Sequence, residues 1–239
     1  MIRINIILFV LAGFITFSCN KEETINLSGD ITGFVDIINE QGEVVEDKSG
    51  IEIAIENTSC SAVTDEIGKY EIKDVPAGTY NILYTADSCG VDKYLTFQHV
   101  GGNISAFIDK QKLYKIPTYD PDTIKVNYYN GLVEITVEFK YPSQEYYARF
   151  YFSNSPDVSI ENYQYYSFVS TDGNNGYISA KYGGFDIDYT DLDEDLPIYY
   201  VIYQFNYYGS YAGYYDYEKE KTVYTCYRKV SEVKELVTE

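Results

Sequence analysis

Tryptophan is absent from this 239-residue chain, histidine and methionine occur once each, and cysteine occurs four times. The single histidine, His99, already excludes much chemistry. A catalytic zinc centre of the two-His, one-Glu kind needs a second imidazole, and a Ser-His-Asp or Cys-His constellation would have to run through this one residue. His99 lies in LTFQHV with Phe97 beside it and reads as an ordinary strand histidine. Basic residues are scarce: 18 Lys and Arg stand against 37 Asp and Glu, a formal net charge of −19. Such a chain repels nucleic acid and anionic lipid surfaces, because phosphate binding rests on Lys and Arg. A nucleic-acid partner is therefore rejected. Long apolar runs are missing as well. The stretch Ile4–Phe17 is too short for a bilayer core of roughly 30 Å, which takes about 20 residues. No amphipathic helix of convincing length stands out, except over the last ten residues.

What is present begins with a leader. Arg3 is the only charge ahead of Cys19, and the almost wholly apolar Ile4–Phe17 follows it, the shape of a secretory signal over 1–18. Thr16-Phe17-Ser18-Cys19 resembles a bacterial lipobox, with Thr and Phe where the usual motif has Leu and a small residue. The resemblance implies cleavage before Cys19, lipidation of its thiol and attachment to a membrane through that lipid anchor. Residues 19–28 then form a tether. Its Asn20-Lys21-Glu22-Glu23 resembles the Lys-plus-acid signal that sends lipoproteins of one Gram-negative phylum to the outer cell surface. One acyl chain holds only marginally, at about 0.8 kcal/mol per buried CH₂, whereas several on one cysteine anchor stably. The expected location is the outer membrane, lipid-anchored and facing the exterior.

Three cysteines remain once Cys19 is lipidated: Cys60, Cys89 and Cys226. An envelope compartment permits disulfides, and an odd count leaves one thiol over. Cys60 and Cys89 are the natural pair, with two separate loop-end thiols as the alternative. Cys226 sits in the strand pattern VYTCYRKV and reads as a small buried hydrophobe.

Frequent tyrosines and β-branched residues favour strands. In the first half, Ile51, Ile53 and Ile55 alternate with Glu52 and Glu56, the period-two pattern of a half-buried strand. Asp65–Gly68 reads as a turn, after which Tyr70 and Ile72 face inward. Pro76-Ala77-Gly78 makes a second turn, and Tyr80, Ile82 and Tyr84 return along the core face. The motifs T-D-x-x-G-x-Y at Thr64–Tyr70 and V-P-A-G-x-Y at Val75–Tyr80, with G-x-V at Gly33–Val35, resemble the carboxypeptidase regulatory-like domain. That resemblance implies a transthyretin-like β-sandwich over 29–113 that is noncatalytic: a spacer, a fold stabiliser or a partner contact. Ser88-Cys89-Gly90-Val91 replaces the usual Gly-Tyr after the last core strand.

Residues 114–122, with Pro117 and Pro121, read as a short stiff linker. Most of the 29 tyrosines lie beyond it. Val133, Ile135, Val137 and Phe139 alternate with polar residues, as do Ala148, Phe150 and Phe152, and then Val201, Tyr203 and Phe205. About seven short strands at roughly ten-residue spacing resemble an immunoglobulin-like or fibronectin type III-like sandwich over 123–230, followed by a polar tail, 231–239. The fold expected is all-β: two consecutive antiparallel β-sandwich domains.

Two stretches hold candidate sites. DIDYTDLDED, 186–195, has the acid density for Ca²⁺, which takes 6–8 oxygens, but not the glycine and closing glutamate of an EF-hand loop; a solvated acidic loop is the simpler reading. NYYGSYAGYYDYEKEK, 206–221, interleaves Tyr208, Tyr211, Tyr214 and Tyr215 with Gly209 and Gly213. Such rings can stack on sugars or anchor a protein partner; alternatively they pack across the strands of a long hairpin. No catalytic residues, cofactor or metal ligands are assigned, and an enzyme is not expected. The expected function is a non-catalytic, surface-anchored binding or assembly module for a glycan, a peptide or an envelope protein. A purely structural envelope lipoprotein is the alternative, and a glycan hydrolase ranks last.

Overall fold

A computed structural model of the chain describes residues 27–138, 146–171 and 180–237. The leader, Cys19 and most of the tether lie outside these residues. The described residues fold almost entirely into strands, in two sandwiches that follow one another along the chain.

The first sandwich uses β1 (Ser28–Ile38), β2 (Glu52–Ile55), β3 (Ser61–Val63), β4 (Lys69–Pro76), β5 (Gly78–Thr85), β6 (Asp92–His99) and β7 (Ala106–Tyr114). One sheet has the order β4-β1-β7 and the other β3-β2-β5-β6. The alternation read in the sequence places the side chains: Ile51, Ile53 and Ile55 are buried and Glu52 is exposed. Tyr70 and Tyr84 meet across the core with their hydroxyls 3.0 Å apart, so each buried phenol partners the other. The turn before β4 forms as the sequence suggests. Gly68 takes φ +81°, and Asp65 Oδ1 accepts from the amides of Ile67 and Lys69. One pairing is parallel, β1 with β7, because the chain returns from β6 in the opposite sheet before β7 enters beside β1.

The second sandwich uses β8 (Thr123–Tyr129), β9 (Leu132–Glu138), β10 (Tyr146–Ser153), β11 (Tyr165–Thr171), β12 (Ala180–Asp186), β13 (Tyr199–Phe205), β14 (Gly213–Asp216), β15 (Lys221–Tyr224), β16 (Tyr227–Lys229) and β17 (Lys234–Glu235). Sheet β12-β9-β8 faces sheet β11-β10-β13-β16, with β17 also paired to β13. Val133, Ile135 and Val137 pack against Ala148, Phe150 and Phe152 between the layers. At about 1.5–3 kcal/mol for each large apolar side chain removed from water, this face dominates the stability of the unit.

β10 departs from simple alternation, since all eight of its residues are buried. Its outer face carries Tyr147 and Tyr151 in a second apolar cluster with Val158, Val201, Tyr203 and Phe205. Tyr224 of β15 packs on Phe205 from above, their ring centroids 6.0 Å apart. The hairpin β14–β15 thus lies over a sheet face that a plain two-layer sandwich leaves in water.

Three expectations are corrected. The polar tail expected over 231–239 is docked where it is described: Lys234 and Glu235 pair with Tyr200 and Tyr199, and Leu236 is buried with its amide bonded to the Ile198 carbonyl. The same pairing makes the expected C-terminal helical stretch extended, because β13 offers an open edge there. Cys60 and Cys89 are not bridged; Cys60, Cys89 and Cys226 are all free thiols. The register explains this. Cys60 sits at the Ile55 end of β2, its carbonyl bonded to the Ile55 amide, while Cys89 follows Thr85, which pairs with Glu52 at the other end. Three residues of strand separate those ends by about 10 Å, beyond the roughly 7 Å between Cα atoms that a disulfide tolerates.

Candidate ligand-binding site

The tyrosines singled out at 206–217 do not converge on one site. Tyr208 lies over the turn at Gly42 in the first sandwich, so closely that a Cβ on that glycine would fall 2.5 Å from the ring. Tyr214 covers the ammonium of Lys93 on β6, 4.6 Å from ring centroid to nitrogen. Tyr215 pairs edge-on with Tyr217 at 5.1 Å. Tyr211 and Tyr217 project furthest into solvent, 79% and 71% exposed. β14 and β15 pair along their whole length, so the stretch is in part the cross-strand hairpin of the second reading.

Much of this segment serves as a joint between the sandwiches. The buried Asn206 donates to the carbonyls of Lys115 (2.8 Å) and Asn39 (3.3 Å), and its Oδ1 accepts from the amides of Tyr208 and Gly209. Both amide hydrogens and the carbonyl oxygen are used. Gly209 seats against the ring of Tyr114, and Gly90 against the backbone of Cys226, with room for no side chain at either contact. Cys226 Sγ points at the carbonyls of Tyr114 and Lys115. Of residues 114–122, read as a linker, Tyr114 ends β7 and the rest are fixed on both sides: Ile116 bonds to Ser88, Thr118 to Glu40, and Asp122 to Glu138.

The same fold produces a cavity that the sequence did not reveal. It opens between the outer face of β10–β11, the loop after β10 and strand β15, with a volume of about 250 Å³. Its floor is Arg149, 2% exposed. The guanidinium is caged by rings, with Tyr224 at 4.0 Å, Phe205 at 4.7 Å, and Tyr147 and Tyr166 each at 5.5 Å from its carbon. Nε donates to Tyr147 Oη at 3.2 Å and an Nη to the Ser210 carbonyl at 3.1 Å. Among the described residues no carboxylate lies within ion-pair distance of it. The guanidinium keeps its proton at any working pH, because arginine is not deprotonated in proteins. Arg149 is therefore a fixed cation.

Arg228 shows the contrast. It is paired with Asp120 and also donates to Gln204 and the Tyr119 carbonyl. Burying an ion costs several kcal/mol even after relaxation, and ring faces return about 0.5–2 kcal/mol each. An arginine left without a counter-ion in such a place is held at a cost that a ligand's negative charge would offset.

A second polar group waits beside it. Tyr151 Oη is buried, lines the cavity and completes no hydrogen bond among the described residues. Burial pushes its pKa well above the usual tyrosine range, with the neighbouring guanidinium acting in the opposite direction, so the hydroxyl stays protonated and able to donate. Tyr163, Tyr166 and Tyr227 supply ring surface, while Lys221 and Glu161, 3.9 Å apart, stand at the rim. The arrangement can hold a small anion against one cation, one hydroxyl and several aromatic faces. A charged residue in the middle of a buried strand was the available sequence signal.

The remaining candidates take structural places. His99 ends β6 at 3% exposure, with Nε2 3.1 Å from the Val75 carbonyl and its ring stacked on Phe97. The acidic stretch caps a single 3-10 turn, Ile187–Tyr189, through Asp186. Its Asp193 amide and carbonyl bond to Asn154. Among the described residues no cluster of three His, Cys, Asp or Glu side chains is placed to hold a metal ion.

No protein-family model matches the chain, and no curated protein matches it. Among solved structures, a type II cohesin–X–dockerin complex from Acetivibrio cellulolyticus is similar at 22% identity and TM-score 0.31, over 36% of this chain and 58% of that one. A candidate carbohydrate-binding protein from Bacteroides uniformis is similar at 16% identity and TM-score 0.33, over 87% and 99%. A DUF3823 family protein from Parabacteroides merdae is similar at 10% identity and TM-score 0.29, over 89% and 100%.

Proposed function

We propose that this chain is a non-catalytic binding module of a bacterial envelope, tethered to the outer membrane by lipid on Cys19, which holds an anionic group in the Arg149 cavity. The observation that carries the binding reading is the guanidinium at the cavity floor, 2% exposed and without a carboxylate partner among the described residues. The anchoring rests on the leader and Cys19 alone. The charge of the whole chain adds selectivity: at −19 it repels polyanions at long range, so the ligand is a small or singly charged anion rather than a polyelectrolyte.

A structural role is the second reading, and the joint around Asn206 favours it, because it locks two sandwiches into a spacer. The two readings separate experimentally. The full chain, solubilised in detergent, is screened against arrays of anionic and neutral glycans and acidic peptides, beside its Arg149→Gln variant. Anionic binders that disappear in the variant support the binding module. An array without anionic binders, or binding indifferent to the substitution, leaves the spacer. Radiolabelled palmitate should enter the wild-type chain in the producing cell and not a Cys19→Ser chain; equal labelling of both would remove the anchor.

A further inference from the structure

Taking the Arg149 cavity as the binding site, we infer that its ligand is a single carboxylate-bearing sugar ring, of the uronic-acid kind, presented as a monosaccharide or at the end of a glycan. The inference deepens the binding-module reading and rests on it. Four observations narrow the ligand.

The first is charge. One cation stands at the floor, and the rim ammonium of Lys221 is already opposed by Glu161. Lys93 on β6 is likewise paired with Glu56 at 2.5 Å and covered by Tyr214. A monoanion is therefore matched at Arg149, whereas a phosphate or sulfate dianion would leave one charge unanswered in a desolvated site. The second is geometry at the floor. Arg149 uses two of its five N–H donors on Tyr147 and Ser210, and the unpartnered Tyr151 hydroxyl faces the same space. A planar carboxylate can accept from both at once. The third is the wall. Tyr163, Tyr166 and Tyr227 offer ring faces that suit the C–H face of a sugar, and their hydroxyls suit its own. The fourth is size: about 250 Å³ lies below the ~300–1,000 Å³ typical of drug-sized ligands. One ring fits, and a longer chain must leave through the mouth.

The test is titration calorimetry on the full chain in detergent with glucuronate and galacturonate. Glucose and galactose serve as neutral controls, glucose 6-phosphate as the dianion, and an acetylated glutamate dipeptide as the acidic peptide. Expected is saturable uronate binding at least tenfold tighter than to the neutral sugars and the phosphate. Arg149→Gln should weaken it at least tenfold and Tyr151→Phe several-fold, with both variants checked for native circular dichroism. Tyr151→Phe removes a hydroxyl that completes no hydrogen bond among the described residues, so it reports even if Arg149→Gln does not fold. If the dipeptide binds through Arg149 and uronates do not, the sugar assignment falls and the anion site stands. If no anion binds, or if uronates bind equally to wild type and Tyr151→Phe while Arg149→Gln is native and unimpaired, both fall.

Discussion

Arg149 and Tyr224 are 75 residues apart in sequence, yet the guanidinium carbon of one lies 4.0 Å from the ring centroid of the other. The contact joins the central strand of a sheet to the hairpin folded over it. It converts a strand residue that would otherwise face water into the floor of a cavity. Charge, cage and cavity all depend on the hairpin closing there.

A binding arginine and a structural one should differ in their effect on stability. In the ligand-free chain, Arg149→Met removes an ion without a counter-ion among the described residues, whose desolvation costs several kcal/mol, and this offsets the loss of its bonds to Tyr147 and the Ser210 carbonyl, each about 0.5–1.5 kcal/mol net. Unfolding in urea should show no loss. Arg228→Met deprives the fully buried Gln204 of its partner, which costs about 1–3 kcal/mol. Equal destabilisation by both substitutions would make Arg149 an ordinary structural residue.

The joint should depend on Asn206 more than on any tyrosine near it. Asn206→Ala strands the carbonyls of Lys115 and Asn39 together with the amides of Tyr208 and Gly209. A loss of about 2–4 kcal/mol is expected, at about 1–3 kcal/mol for each buried group left unpaired and with partial relief by water. Thermal unfolding should broaden or divide into two transitions, as the sandwiches lose their common support. Tyr211→Ala, at the exposed end of the same segment, should leave the melt within about 0.5 kcal/mol of wild type.

Thiol chemistry gives a separate check on the fold. Burial raises the Cys89 pKa and pushes that of Cys226 up to about 12, so neither forms thiolate readily at neutral pH. Cys60 is partly exposed. A native chain without Cys19 should therefore react with an aromatic disulfide reagent at Cys60 alone, and at three thiols after urea. Two thiols fewer in urea would mean a disulfide.

Alkali should unfold the protein through its tyrosines. Burial raises the pKa of Tyr70, Tyr84, Tyr146 and Tyr151. The folded chain thus keeps protons that the unfolded chain releases near pH ~10. Below that pH both states are protonated and stability is complete; above it, the unfolded state gains by ionising and stability falls. Phenolate absorbance should rise in two stages, exposed rings first and the buried group only with loss of circular dichroism. A single smooth titration with the fold intact would contradict the burial of these hydroxyls.

The amino-acid sequence by itself determined the local features. Period-two runs such as Ile51–Ile55 and Val133–Val137 chose strand and inward face, because a strand buries every second side chain whatever lies opposite. Asp65 and Gly68 set the turn before β4, and a single histidine leaves no second imidazole in this sequence for a paired-imidazole metal centre. The tertiary structure alone decided what happened on the faces that alternation leaves outward. Arg149 lies between Ala148 and Phe150, so the pattern assigns it to solvent; the hairpin of residues 213–224 closes over it instead. In the same way the tyrosines of 206–217 became contacts to Gly42 and Lys93, and Cys89 moved to the opposite end of the sheet from Cys60. Alternation is a local property of one strand, whereas a covered outer face is made by chain far away in sequence. Only the closed fold places a lone guanidinium and an unpartnered hydroxyl on the same cavity floor.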